Sequence, residues 1–204
     1  MMALSPSERA LFRALATPPL IQDYLNTLSY NFEKGGETCR SPRRVIAAKC
    51  AHCLEGAYLA AALLWFHGDR PLLLDLRSTR EDLDHVVALF KRHGCWGALS
   101  KTNHSVLRYR EPVYRTVREL ALSYFHEYFL DNGTKTLREY SKPFSLKPYG
   151  DNWITTEEDL WDIGAALDES KHYPILPSSM KVTSLRSADM IEITAGKLTE
   201  YTGR

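Results

Sequence analysis

Polar and apolar positions along this chain fall into two kinds of block. In the first, a Ser-x-x-Glu box (Ser5, Glu8) stands ahead of apolar residues at helical spacing, and the predicted helix stops near Pro18-Pro19. Leu20, Ile21, Tyr24, Leu25 and Leu28 then share a helical face until the segment EKGGET (33–38) breaks the pattern. Ser41 as cap and Pro42 at the first helical position open another short helix, with Val45 and Ile46 facing inward. Residues 51–66 are rich in Ala and Leu and apolar nearly all round. They predict a buried central helix ending at His67-Gly68.

The second block is dominated by short apolar runs bounded by turn residues. RPLLLDLRS (70–78) and DHVVALFKRHG (84–94) predict strands, and residues 95–110 predict one or two more after a tight turn at His93-Gly94. Residues 111–133 predict an amphipathic helix closed by Asn132-Gly133, and residues 155–170 another, with Thr155 and Glu158 as its capping box. The tail, residues 187–203, alternates on either side of Ala195-Gly196 and predicts a terminal hairpin. Helices, then a buried helix, then consecutive strands describe an α+β fold with an antiparallel sheet, not an alternating βαβ chain. The Pro- and Gly-bearing stretch 140–152 marks a seam between a core, residues 1–145, and a C-terminal appendage of helix and hairpin, residues 146–204.

Composition narrows the function classes. The chain has 204 residues, 44% hydrophobic and 25% charged, with a formal net charge of +1, which gives no argument for nucleic acid or an anionic membrane as partner. The N-terminal segment lacks the apolar core and cleavage site of a signal peptide, and the longest apolar run is too short to span a bilayer. Four cysteines in a chain of this length, without an export signal, are not a disulfide scaffold. The expected setting is a reducing cytoplasm with free thiols.

Candidate chemistry concentrates in "KCAHCLEGAYLAAALLW", Lys49 to Trp65. Cys50 and Cys53 have the spacing of a redox pair at a helix start, but such a pair normally follows a strand, and the preceding residues predict a helix. Cys39 and Cys95 are isolated, so the second pair that a structural zinc site needs is missing, and no metal or other cofactor is expected. A third reading needs one thiol at a helix N-terminus, where the dipole favours a thiolate, and a histidine from another element to take its proton. Cys53 and His85 meet that description. With a two- or three-residue loop at His93-Gly94, His85 lies opposite Thr102 or Asn103, with Ser100 one step along.

Residues 38–110, from the SPRR helix through the Ala/Leu-rich segment to the strands around Trp96, resemble the core of the transglutaminase-like superfamily, which shares the papain-like cysteine fold. The resemblance implies a cysteine-dependent amide hydrolase or acyltransferase acting on protein or peptide amides, with Cys53 as nucleophile and His85 as base. Trp96 matches the aromatic residue preceding the family's acid, but four residues later, where the family places Asp, this chain has Ser100. Asn103 is then the expected orienting residue, as asparagine is in papain-type enzymes, with Ser100 as its competitor. His52, Trp96 and Ser100 are expected to line the substrate cleft. A fold of this kind also serves as a non-catalytic binding module acting through a partner protein.

Other residues have plainer readings. Cys39, Cys50 and Cys95 are expected to be packing residues, and Trp65, Trp153 and Trp161 core or groove wall. Arg43 and Arg44 suit a solvated helix start or an acidic substrate, and Glu55 suits the surface. The helix at 155–170 or the tail could cap the cleft.

Overall fold

The helical segments begin where their caps place them. In the computed structural model, which describes residues 2–200, α1 (Pro6–Ala14) carries the full Ser5–Glu8 capping box. α2 (Pro18–Thr27) is capped by Thr17 and α3 (Pro42–Ala48) by Ser41, both with proline in the first turn. Lys49, in the left-handed region at φ 50°, turns the chain out of α3. A two-residue strand β1 (Ser29–Tyr30) then pairs in parallel with β2 (Cys50–Ala51), so the helical face expected to run past Leu28 ends at Thr27. β2 leads through His52 into α4 (Cys53–Phe66), which is buried continuously from Glu55 to Leu64.

The remaining strands form one sheet in which every pair is antiparallel. Its members are β3 (Leu72–Arg77), β4 (His85–Arg92), β5 (Cys95–Leu99), β6 (Arg110–Tyr114), β7 (Glu139–Ser141), β8 (Phe144–Ser145) and β9 (His172–Pro174), in the order β6-β5-β4-β3-β7-β9 with β8 also beside β3. The architecture is therefore α+β, as the order of the blocks predicts. Successive side chains on a strand face opposite ways, and both faces of this sheet are covered, so β3 is buried from Leu72 to Leu76, Asp75 included, and β4 from His85 to Phe90. Leu73, Val86, Ala88 and Leu99 pack with α4. Leu72, Leu74, Leu76, Val87 and Leu89 pack with Tyr124, Tyr128 and the short helix α5 (Val117–Leu122). Arg92 pairs with Cys95 across a two-residue turn, in which His93 and Gly94 both take positive φ, 51° and 81°.

Residues on both sides of the stretch 140–152 share this sheet, and Trp153 with Ile163 and Leu167 of α6 (Trp161–Asp168) joins the same core as α4. Among the described residues no helix is long and apolar enough to cross a membrane.

Four local expectations are corrected. The helix predicted over 111–133 shrinks to α5 and one 3-10 turn, because Pro112 and Val113 belong to the edge strand β6, where a proline leaves no ladder donor missing. α6 starts at Trp161, not at Thr155, because Asp159 just before it accepts from the Cys39 backbone and from Arg44. Trp161 is exposed, not core. The tail is not a hairpin: Asp189 and Glu192 form a reciprocal capping box that starts helix α7 (Met190–Gly196). Tyr201 to Gly203 of that expected hairpin lie outside the described residues.

α4 approaches the chain beyond β5 very closely. A Cβ at Gly56 would stand 2.4 Å from the Cβ of Lys101, which is itself buried and donates from Nζ to the Leu28 carbonyl at 2.6 Å. Gly56→Ala should therefore lower stability by about 1–3 kcal/mol, the range for overpacking a dense interior, despite alanine's higher helix propensity. Thermal denaturation checks this, and a melting temperature equal to or above that of the parent would contradict it.

Candidate active site

Cys53 is the first residue of α4, at the foot of a cleft of about 400 Å³ that His52, His85, Leu107 and Tyr128 also line. The residue is partly exposed, and it is a free thiol, as are the other three cysteines. The helix start is built by a buried carboxylate. Glu55 accepts from the His52 backbone N–H at 3.1 Å, the Arg40 backbone N–H at 3.1 Å, Thr38 Oγ1 at 2.7 Å and Asn31 Nδ2 at 3.1 Å. These bonds fold the loop 31–40 around the N-terminus of α4. Glu55 is thus fully buried rather than a surface residue. Its place three residues after the cap, the capping-box position, is the sequence signal that marks it.

His85 opens β4 and is 5% exposed, with one edge at the cleft. Its Nε2 lies 2.8 Å from Ser100 Oγ, and Ser100 Oγ donates its only proton to the Leu107 carbonyl at 2.6 Å. Ser100 must then accept from His85, which fixes the proton on Nε2 and leaves Nδ1 as the ring's acceptor. The side chain that meets His85 Nε2 is thus Ser100, in place of the expected Asn103. Regular β4–β5 pairing ends at Ala88–Leu99, before the chain could bring Asn103 opposite His85. Instead the side-chain amide of Gln22, on α2, takes both backbone groups of Ser100, at 2.8 and 3.0 Å. Asn103 is buried further along, and its backbone carbonyl accepts from Glu200 at 3.0 Å. Gln22 and the Leu107 carbonyl, both essential to this arrangement, carry no sequence signal.

His52 sits on the other side of the thiol. Its Nε2 is 2.9 Å from the Thr38 carbonyl, which can only accept, so this nitrogen too carries a proton. Glu33 and Glu55 oxygens both lie 3.7 Å from it. Burial alone would push the Cys53 thiol up. Hydrogen bonds with His52 and His85, and the charge on those rings, outweigh burial and bring it down to about 5, and the helix N-terminus works in the same direction. Burial opposes charge on His52 as well, but its hydrogen bond with Cys53, the charges of Cys53 and Glu55, and the Thr38 carbonyl raise it to about 9. The arrangement suits a thiolate–imidazolium pair.

The remaining candidates lie elsewhere. Trp96 does not line the cleft; it pairs with Lys91 across β4–β5, with the Lys91 ammonium 5.2 Å from its ring centre. Cys50 is on β2, outside the helix. Arg43 is occupied by Glu8, at 2.7 and 3.0 Å, and by the Thr155 carbonyl, and Arg44 by Asp159. Among the described residues, Asp75, Asp84 and Asp168 are the group of carboxylates close enough to share a cation. Each already has a protein partner: His172 at 3.0 Å, the Ser78 backbone N–H at 2.7 Å and Arg77 at 2.9 Å.

The tail, not α6, covers the cleft. Ile193, Gly196 and Lys197 line it, and the tail is tied down by backbone bonds from Ser105 to Leu198 and from Ala188 to Gly133, and by the pairs Arg108–Glu200 and Lys197–Asp131. Comparison with family models and with curated proteins finds no match to this chain.

Gly133 has φ +82°, and a Cβ there would meet the Ala188 carbonyl at 2.6 Å. Gly133→Ala should loosen the tail where it is pinned. The expected outcome is a severalfold faster iodoacetamide alkylation of Cys53 at fixed pH, with far-UV circular dichroism unchanged. An unchanged rate would mean that the tail does not limit access.

Proposed function

We propose that the protein is a cysteine-dependent amide hydrolase or acyltransferase of the transglutaminase-like type, with Cys53 as nucleophile and His85 as base. One observation carries the reading. A partly exposed thiol at the N-terminus of a buried helix shares a cleft with a strand histidine whose second nitrogen is held by a dedicated acceptor. That is the nucleophile–base–orienter relation that covalent acyl transfer requires.

In the first half-reaction the Cys53 proton passes to an imidazole and the thiolate attacks the amide carbonyl. The C–N bond breaks, the amine leaves with the proton that His85 delivers, and the acyl group remains as a thioester. In the second, His85 Nδ1 takes a proton from water or an acceptor amine. That nucleophile attacks the thioester and the C–S bond breaks to regenerate the thiolate. Ser100 holds the ring in one tautomer throughout. A hydroxyl fixes orientation without adding the negative charge that a carboxylate would supply, so Ser100→Ala should lower turnover about ten- to a thousandfold, in the range for losing an orienting or polarising group.

The test uses p-nitrophenyl acetate as acyl donor and iodoacetamide as thiol probe. Parent protein and Cys50→Ala should both form an acetyl-enzyme on Cys53, seen by mass spectrometry, and Cys53→Ala none. Because the folded thiol is held at about 5, below the usual thiol value near 9, alkylation should rise through about pH 5 and stay level to pH 9. A Cys53 that alkylates only as pH approaches 9 and forms no acyl-enzyme would favour a non-catalytic binding module. Equal damage from Cys50→Ala and Cys53→Ala would favour a paired redox site.

A further inference from the structure

The carboxylates of the site stand behind the wrong histidine for a conventional triad. His85 has a neutral hydroxyl on Nε2, whereas the Nε2 edge of His52 faces the Thr38 carbonyl at 2.9 Å and two carboxylates, Glu33 and Glu55, at 3.7 Å. Both rings carry a proton on Nε2 and both line the cleft with Cys53, so in each ring Nδ1 is the nitrogen left to take up a proton there. The proton that Cys53 loses can therefore go to either ring. Opposite charge nearby favours the protonated imidazole, and only His52 has carboxylates beside its ring nitrogen.

We infer that His52 is a positioning residue for the reaction proposed above: at rest it holds the proton that Cys53 has lost, and it supplies through Glu33 and Glu55 the anionic support that His85 lacks. The thiolate is then maintained by an imidazolium adjacent in the chain until substrate binds, and the same proton, passed to His85 Nδ1 as the sulfur attacks, is the one that the leaving amine takes.

The groups facing His52 agree in sign. Glu33 comes from the loop after β1, Glu55 from α4 and Cys53 from the helix start, and each favours the cation. Tyr30 of β1 lines the same cleft, and its ionisation is pushed up by burial, then by Cys53, Glu33 and Glu55, so it stays neutral. Arg40 opposes: its Nε lies 3.9 Å from the same Glu55 oxygen that His52 faces at 3.7 Å, so Glu55 is shared between the two cations while Glu33 is not. His85 reaches the sulfur from β4. The raised value of His52, about 9, and the lowered one of Cys53, about 5, are two sides of this one ion pair.

This inference rests on the reading of Cys53 as the reactive thiol, and the experiment separates the two. In a Cys50→Ala background, the pH dependence of iodoacetamide alkylation of Cys53 is measured for the parent, His52→Gln and His85→Gln, with circular dichroism confirming the fold. His52→Gln should move the alkylation midpoint up by about 1–3 pH units, the effect of removing an opposite charge at contact distance, and His85→Gln should move it less. The [15N]histidine spectrum of the parent at pH 7 should show His52 with both ring nitrogens protonated. A parent midpoint near 9 would sink the proposed function itself. A low parent midpoint that His52→Gln leaves in place, or a singly protonated His52 at pH 7, would overturn only the role given to His52.

Discussion

A single buried carboxylate governs where everything else in the site can stand. Glu55 is fully inaccessible yet accepts four hydrogen bonds, from two backbone N–H groups, a threonine hydroxyl and an asparagine amide. A buried carboxylate without partners would be strongly unfavourable, so the loop 31–40 must close on α4 for the chain to fold with Glu55 inside. That closure carries the Thr38 carbonyl and Glu33 to the ring of His52. The first turn of an α-helix also leaves backbone N–H groups unpaired, and Glu55 answers the one at His52, just before the helix starts. The same side chain therefore anchors the helix start, orders the loop and sets the electrostatics beside the thiol.

The opposite wall depends on a second substitution of side chain for backbone. Beyond Leu99 the chain leaves the β4 ladder, and the Gln22 amide replaces the lost strand partner by taking both the N–H and the C=O of Ser100. An extended residue held this way keeps its side chain directed as if still in the sheet while its neighbours are free to turn. Ser100 uses that direction to reach His85, and Lys101 turns under α4, against Gly56, with its ammonium on the Leu28 carbonyl. α2, which does not line the cleft, thereby positions the hydroxyl that His85 meets.

The sequence made parts of this legible and hid others for definable reasons. Caps at Ser5 and Ser41, the apolar block of α4 and the His93-Gly94 turn are local chemistry, and they appear in the structure where local chemistry puts them. The placement of Cys53 at a helix start and His85 at a strand start on one cleft was also readable, because it needs only local element boundaries and a known turn length. The third member was not. Its identity depends on where the β4–β5 ladder stops, and that is decided by Gln22, 78 residues away in the chain. The tail was misread for another reason. Its alternation looked strand-like, but Met190 and Ile191 are both largely exposed, so no buried face existed for alternation to report, and the Asp189–Glu192 cap decided the outcome.

The cleft joins parts of unequal firmness. Its floor is the start of α4 and the edge of the sheet, held by core packing on both sheet faces. Its roof, α7 and the residues after it, is held chiefly by exposed ion pairs and a few backbone bonds, and Met190, Ile191 and Leu198 project into solvent. Exposed pairs contribute little each, and segments with few buried contacts open at a small fraction of the global unfolding free energy. Any molecule that reaches Cys53 must pass between these two. The geometry around the sulfur is thus set by the rigid part, and access to it by the weakly held part. Cys53, His52 and His85 can stay fixed while the entrance changes, since among the described residues none of the three takes a hydrogen bond from the tail.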